Sequence, residues 1–363
     1  MFNNNRLKLA RIRRSFTKKE LAEKLNLSIQ TLSEWETGKT VPKFDNIIDV
    51  AKILNFPVEF FEKNEQISIL NPQKVTFRAL TKMKAGDRDK ALACGSLAIY
   101  LNSWFESKFN LPQCNIPLYE DCSPEEAAQK LKSYWNISEN YIDNTIYLLE
   151  RNGVRVYSLS ENCNDFDAFS TWDNNTPFVF LNTMKSSERS RFDAMHELGH
   201  LVLHKNCFIR DKKIEEEANS FASEMLMPKN SVMEYRTVSP TIENLVLEKQ
   251  IWNVSLKALI YRLNKLDIIT DWTYRLFMVE LNKRGYNIKE PLSIKRESSI
   301  ILRKIFDILK EDNITIHDIA QDLRLSTYEV NSMIFNMFDM FSTVNGCNNS
   351  DSRQKSKADL KII

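Results

Sequence analysis

Three of the chain's four histidines fall between positions 196 and 204, inside the run RSRFDAMHELGHLVLH. No other feature restricts the fold as much. Residues four apart on an α-helix stand just over one turn apart, so His196 and His200 project from one face with their rings converging. Phe192, Met195, Leu198, Leu201 and Leu203 surround them and make that helix mostly buried. Two neutral imidazoles in an apolar setting need partners, and they make half of a tetrahedral zinc site. Glu197 is rotated by about 100° from His196, close enough to take a proton from a water at the metal without being a ligand. H-E-x-x-H on an amphipathic helix is therefore the pattern of a zinc hydrolase with Glu197 as general base. His204 lies about 12 Å from His196 along the axis, and reads as a helix C-terminal residue favoured by the dipole rather than a further ligand.

The remaining ligand has to come from elsewhere, and EEEANSFASEMLMP offers three adjacent carboxylates. Glu215 shares its helical face with Ala218, Asn219, Ala222 and Leu226, a face small enough in part to let another helix approach. Glu216 lies with Ser220 and Ser223 on a face of solvated character, and Glu217 with Phe221 and Glu224 on a mixed one. Glu215 is the expected ligand beside His196 and His200, with one zinc ion per chain as cofactor. Asn219, one turn on, is placed to hydrogen-bond a ligand histidine or simply to pack the helix.

The N-terminal segment carries a different signal. Net charge is +2 over the whole chain, yet residues 1–56 hold eleven Lys/Arg against six Asp/Glu. A basic head on a slightly acidic body points to a polyanion partner for the head alone. Within FTKKELAEKLNLSIQTLSEWETGK, Thr17 and Glu20 form a capping box, Asn26 sits at a turn, and Ser28 caps the next helix. Leu21, Ala22, Leu25, Leu32 and Trp35 point inward. Gln30, Thr31 and Glu34 are left outward near the helix N-terminus, the end that enters a major groove. Gln30 has the bidentate geometry that adenine presents, and Glu34 can accept from cytosine. Lys18, Ser28, Thr31 and Lys39 are placed for phosphate contacts. Charge excess alone would suit any solvated four-helix head; the turn spacing, the caps and the polar stripe together favour double-stranded DNA.

With 363 residues and 43% hydrophobic content the chain supports several cores, and disorder is excluded as the dominant state. Only 7 glycines and 10 prolines suggest a helix-rich fold. The expected class is α+β, mostly helical: an all-α N-terminal domain, a central α/β domain with a small sheet around the zinc site, and a C-terminal helical region. The expected divisions are 1–65 for DNA binding, 66–110 as a helical connector, and 111–228 for the zinc site. Beyond these come 229–290 as a helix-turn-helix-like unit, 291–344 as a C-terminal helical domain that packs or dimerises, and 345–363 as a disordered tail. GVRVYSL and PFVFLN are the strand candidates. Six cysteines without a C-x-x-C pair fit reduced cytoplasmic thiols. No signal peptide is read, and the longest uncharged run, Ala91 to Phe105, is too short to span a bilayer.

The head resembles the Xre/lambda-repressor-like helix-turn-helix family on Leu21-Ala22, Leu25, Leu32-Ser33, Glu36, Gly38-Lys39, Pro42 and the helix IIDVAKILNF. It departs at Asn26, where that family usually has glycine. The resemblance implies a five-helix module that binds operators as a homodimer. DNNTPFVFLN, ERSRFDAMHELGHLVLHK and EEEANSFASEMLMP together resemble the ImmA/IrrE family of zinc metallopeptidases. That resemblance implies zinc on His196, His200 and Glu215, with Glu197 as general base. It also implies a protein substrate, a helix-turn-helix repressor whose cleavage releases transcription on a mobile element or in a stress response. The competing expectation is a regulator or antitoxin-like protein whose zinc site is structural or sensory and hydrolyses nothing.

Overall fold

The computed structural model describes residues 2–77, 84–137, 141–159, 168–205, 212–237, 239–337 and 358–359. The class is α+β and mostly helical. At the N-terminus, α1 (Asn4–Arg13) starts where Asn3 accepts from two backbone N–H groups. The capping box of Thr17 and Glu20 opens α2 (Lys18–Lys24), and Ser28 caps α3 (Ile29–Thr37). Between α2 and α3, Asn26 turns the chain at φ +53°, a conformation Asn tolerates better than most side chains. After α4 (Phe44–Leu54), the fifth helix implied by the resemblance is only a 3-10 turn, Val58–Phe61. Its Phe60 and Phe61 are buried, so the turn still closes the head's core.

The next segment differs from the connector expected over 66–110. Val75–Phe77 is a strand (β1), and Ala85–Lys108 is a helix of 24 residues (α5). Residues Ala91–Ala98 of α5 are buried all round, as a core helix must be when both its neighbours are apolar. Phe109–Asn110 (β2) follows, then α6 (Pro124–Tyr134), α7 (Thr145–Arg151) and β3 (Arg155–Leu159). A hairpin of β4 (Ala168–Asp173) and β5 (Thr176–Asn182) completes a four-stranded sheet in the order β1-β4-β5-β3. β3 runs parallel to β5, and the other two pairings are antiparallel.

Both faces of the sheet are covered, which is why PFVFLN is an unbroken apolar run rather than an alternating one. Phe169, Phe178, Phe180, Tyr157 and Leu159 face one core, shared with α5 and the head. Gly95 lets α5 lie close there: a Cβ on it would stand 2.8 Å from the Phe169 ring. Ala168, Val179, Leu181 and Val156 face a second core, made with α8 (Ser187–Leu203) and α9 (Lys212–Leu226).

That second core continues without a break into α10 (Lys229–Tyr235), α11 (Ile242–Trp252), α12 (Leu256–Lys265) and α13 (Asp271–Lys283). Residue 228 is thus not a packing boundary. Arg262 on α12 reaches back to the Met227 carbonyl at 3.0 Å and pairs with Glu224 of α9, while Trp252 donates to Ser231. The last helices are α14 (Ile300–Glu311), α15 (Ile316–Leu323) and α16 (Thr327–Met333). They share the first core with the head and α5. Glu329 of α16 is buried between Arg13 and Arg14 of the N-terminal segment, and Lys63 donates to the Asp322 carbonyl. The tail expected over 345–363 lies outside the described residues apart from Ala358–Asp359 (β6), whose backbone pairs in parallel with β2. Among the described residues no helix is long and apolar enough to cross a membrane.

Candidate metal centre

α8 begins at a Ser186 cap and is anchored by Arg191, whose guanidinium donates to the Ile142 and Asp143 carbonyls at 2.6 and 3.0 Å and pairs with Glu297. Burial pulls the Arg191 pKa down to about 10, against the nearby Asp143 and Glu188. The helix then carries His196, Glu197 and His200 into the second core, exposed by no more than 2%. The Nε2 atoms of His196 and His200 lie 3.1 Å apart. Glu215, in the first turn of α9, brings one carboxylate oxygen within 3.4 Å of His196 Nε2 and the other within 3.6 Å of His200 Nε2. Bonds of about 2.0–2.1 Å to a tetrahedral ion would set its ligand atoms roughly 3.3 Å apart. The three groups thus have the right chemistry and spacing for one small divalent cation. Glu215 is 31% exposed at its side chain, so the cluster opens to solvent on that side.

Gly199 is what lets the two helices meet. A Cβ at this position would come within 3.1 Å of Phe221 and 3.3 Å of the Ala218 Cα. Neither glutamate beside Glu215 reaches the imidazole nitrogens that face the cluster. Glu216 turns out to Lys212, and Glu217 meets His204. Asn219 Oδ1 lies 3.1 Å from His196 Nδ1, the ring nitrogen turned away from the cluster. His204 does cap α8, its N–H bonded to the His200 carbonyl, but its ring is buried and turned toward His200.

One contact had no precursor in the sequence reading. Ser170 of β4 donates to Glu197 Oε2 at 2.6 Å, both groups buried, and so fixes that carboxylate beside the cluster. β4 was not foreseen as a strand, and a contact between positions 170 and 197 leaves no periodic trace.

In the head, Ser28, Gln30 and Lys39 are exposed, and Thr31 and Glu34 are half-buried on the outer side of α3. Gln30 donates to Glu34 at 3.1 Å, so these two pair with each other in the free protein. Lys18 is drawn inward: it donates to Ser33 at 3.0 Å and lies 3.6 Å from Glu36. The basic excess is also smaller at the surface than counting suggests. Arg6, Arg11 and Arg13 are buried, and Arg14 is engaged with Glu329.

Fold and site together define a helix-turn-helix head joined to a zincin-like domain with its H-E-x-x-H helix over a small sheet. Residues 7–61 match the helix-turn-helix family, and residues 149–264 match the IrrE N-terminal-like domain, a peptidase family. The chain therefore unites an Xre-like helix-turn-helix domain with a domain of the ImmA/IrrE peptidase family. It is 28% identical over 88 residues to "Uncharacterized immunity region protein 2" of Bacillus phage phi105. That stretch is 22% of this chain and 56% of the phage protein, so the chain spans little more than half the length of this relative.

Proposed function

We propose that the protein is a cytoplasmic DNA-binding regulator whose central domain is a zinc-dependent endopeptidase acting on a protein substrate, a helix-turn-helix repressor. The observation that carries this reading is the convergence of His196 Nε2, His200 Nε2 and Glu215, with Glu197 held beside them by Ser170. His196, His200 and Glu215 would hold the ion, and Asn219 would keep the His196 ring turned. A zinc ion held there supplies a Lewis acid that polarises a carbonyl oxygen and acidifies a water. Glu197 is not one of the three converging ligands, so its carboxylate stays available to take the attacking water's proton and pass it to the leaving amine. The exposed side at Glu215 gives an extended peptide access.

The head supports operator binding through α3, with Ser28, Thr31 and Lys39 at phosphates and Gln30 and Glu34 at base edges. Reading DNA requires the Gln30–Glu34 hydrogen bond to open. Lys18 contributes only if it leaves Glu36. A homodimer would place two such helices in successive major grooves, about 34–36 Å apart. The phage relative's name assigns it to an immunity region, which favours control of a mobile element. Two of the expected divisions are read differently here: 229–290 as part of the peptidase domain, whose core it shares, and 291–337 as packed with the head.

Glu197→Gln tests the enzymatic reading. It should retain zinc and operator binding while losing hydrolysis of a repressor encoded beside this gene. Unchanged regulation in that variant favours the structural or sensory metal site instead.

A further inference from the structure

His200 is supported quite differently from His196. Behind the His196 ring, at Nδ1, stands a neutral amide, Asn219. Behind His200 stands a second imidazole and then a carboxylate. His200 Nδ1 lies 3.1 Å from His204 Nδ1, and His204 Nε2 lies 2.9 Å from Glu217 Oε2. His204 is 8% exposed and sits at the end of α8, while Glu217 comes from the facing turn of α9 with Lys213 3.6 Å from its other oxygen. The stripe 196, 200, 204 thus continues one turn past the ligand pair. It ends on an acidic group that sequence periodicity assigned to a mixed face.

We propose that His204 and Glu217 are positioning residues that orient His200 and strengthen it as a metal ligand. The inference rests on the metal-centre reading above. Its logic is one of proton bookkeeping. Two ring nitrogens facing each other at hydrogen-bond distance share one proton; two lone pairs would repel, and two protons would clash. If His200 offers its Nε2 lone pair to a cation, its proton is on Nδ1 and is donated to His204 Nδ1. His204 then carries its own proton on Nε2 and donates it to Glu217. Every ring stays neutral and each tautomer is fixed. The chain ends on a full negative charge, which raises the electron density of His200 Nε2 more than an amide does for His196.

The test is zinc affinity of the full-length protein at neutral pH, measured by competition with a chromophoric chelator. Wild type is compared with His204→Ala, His204→Gln, Glu217→Gln and the control Glu216→Gln, with far-ultraviolet circular dichroism reporting the fold of each. Loss of the relay should weaken zinc roughly 10–100-fold in His204→Ala, and less in Glu217→Gln, which keeps an acceptor oxygen. His204→Gln, whose amide oxygen can accept from His200 Nδ1, should recover part of the loss, and Glu216→Gln should bind as wild type does. A pure packing role would lower the melting temperature of the metal-free protein and leave the competition curve unmoved. If His204→Ala does not fold, Glu217→Gln decides alone, because its side chain is 31% exposed and tolerates the exchange. Tight zinc in the wild type with all folded variants within about twofold of it overturns the inference while sparing the metal centre. No zinc in the wild type overturns both.

Discussion

Gly199 and Ser170 do the work at the residue scale that the metal-type ligands cannot do for themselves. A methyl at Gly199 meets backbone, the Ala218 Cα, and not only the movable ring of Phe221. The intrinsic gain of alanine in a helix, about 1 kcal/mol, is therefore outweighed by displacement of α9. Gly199→Ala should lower stability by about 1 kcal/mol in denaturant titration and weaken zinc, since α9 carries Glu215. Ser170→Ala removes the hydroxyl that holds Glu197. It should leave zinc content intact while reducing peptide hydrolysis roughly tenfold, most visibly in kcat. The meeting of His196 and His200 was legible because one helix fixes an i, i+4 pair. The approach of Glu215 was legible from the small residues on its face. Ser170 was not, since nothing local links a strand residue to a helix residue 27 positions away.

Among the elements, the two strands of the hairpin show the limit of pattern reading. PFVFLN announces itself by an apolar run, whereas AFSTWD mixes Ser170 and Thr171 into a strand whose first four residues are buried. β1 has three residues, too few for any period. α5 reads as a connector from its place in the chain, although its stretch Ala91–Ala98 carries no charge, as suits a helix packed on all sides. α14 docks differently again, through Glu150 of α7. That carboxylate accepts from Ser299 and from the Ile300 and Ile301 N–H groups, and burial raises its pKa to about 7 despite these donors and Arg155. The folded chain therefore holds a proton there that the unfolded chain releases above about pH 4.5. Glu150's contribution to stability is full below that pH and is lost as pH rises toward about 7. The melting-temperature advantage of wild type over Glu150→Gln should accordingly shrink across this window. A gap that widens with rising pH contradicts the docking described.

For the whole molecule, chain order is a poor guide to which parts share a core. The head, α5 and the last three helices form one body of packing, and the sheet's other face forms another with α6 to α13. Across the first body, Glu329 of the C-terminal helices is buried against Arg13 and Arg14 of the head. Withdrawing one member of a buried ion cluster costs about 3–5 kcal/mol, so Glu329→Gln should destabilise the head and the C-terminal helices together, in a single transition. Independent melting of the head would refute a shared core. The central claim is simpler: one divalent cation joins α8 to α9 through His196, His200 and Glu215. Zinc content by plasma mass spectrometry of exhaustively dialysed full-length protein measures it directly. About one zinc per chain is expected in the wild type and almost none in Glu215→Ala. Wild-type zinc retained in Glu215→Ala, or none in either, contradicts it.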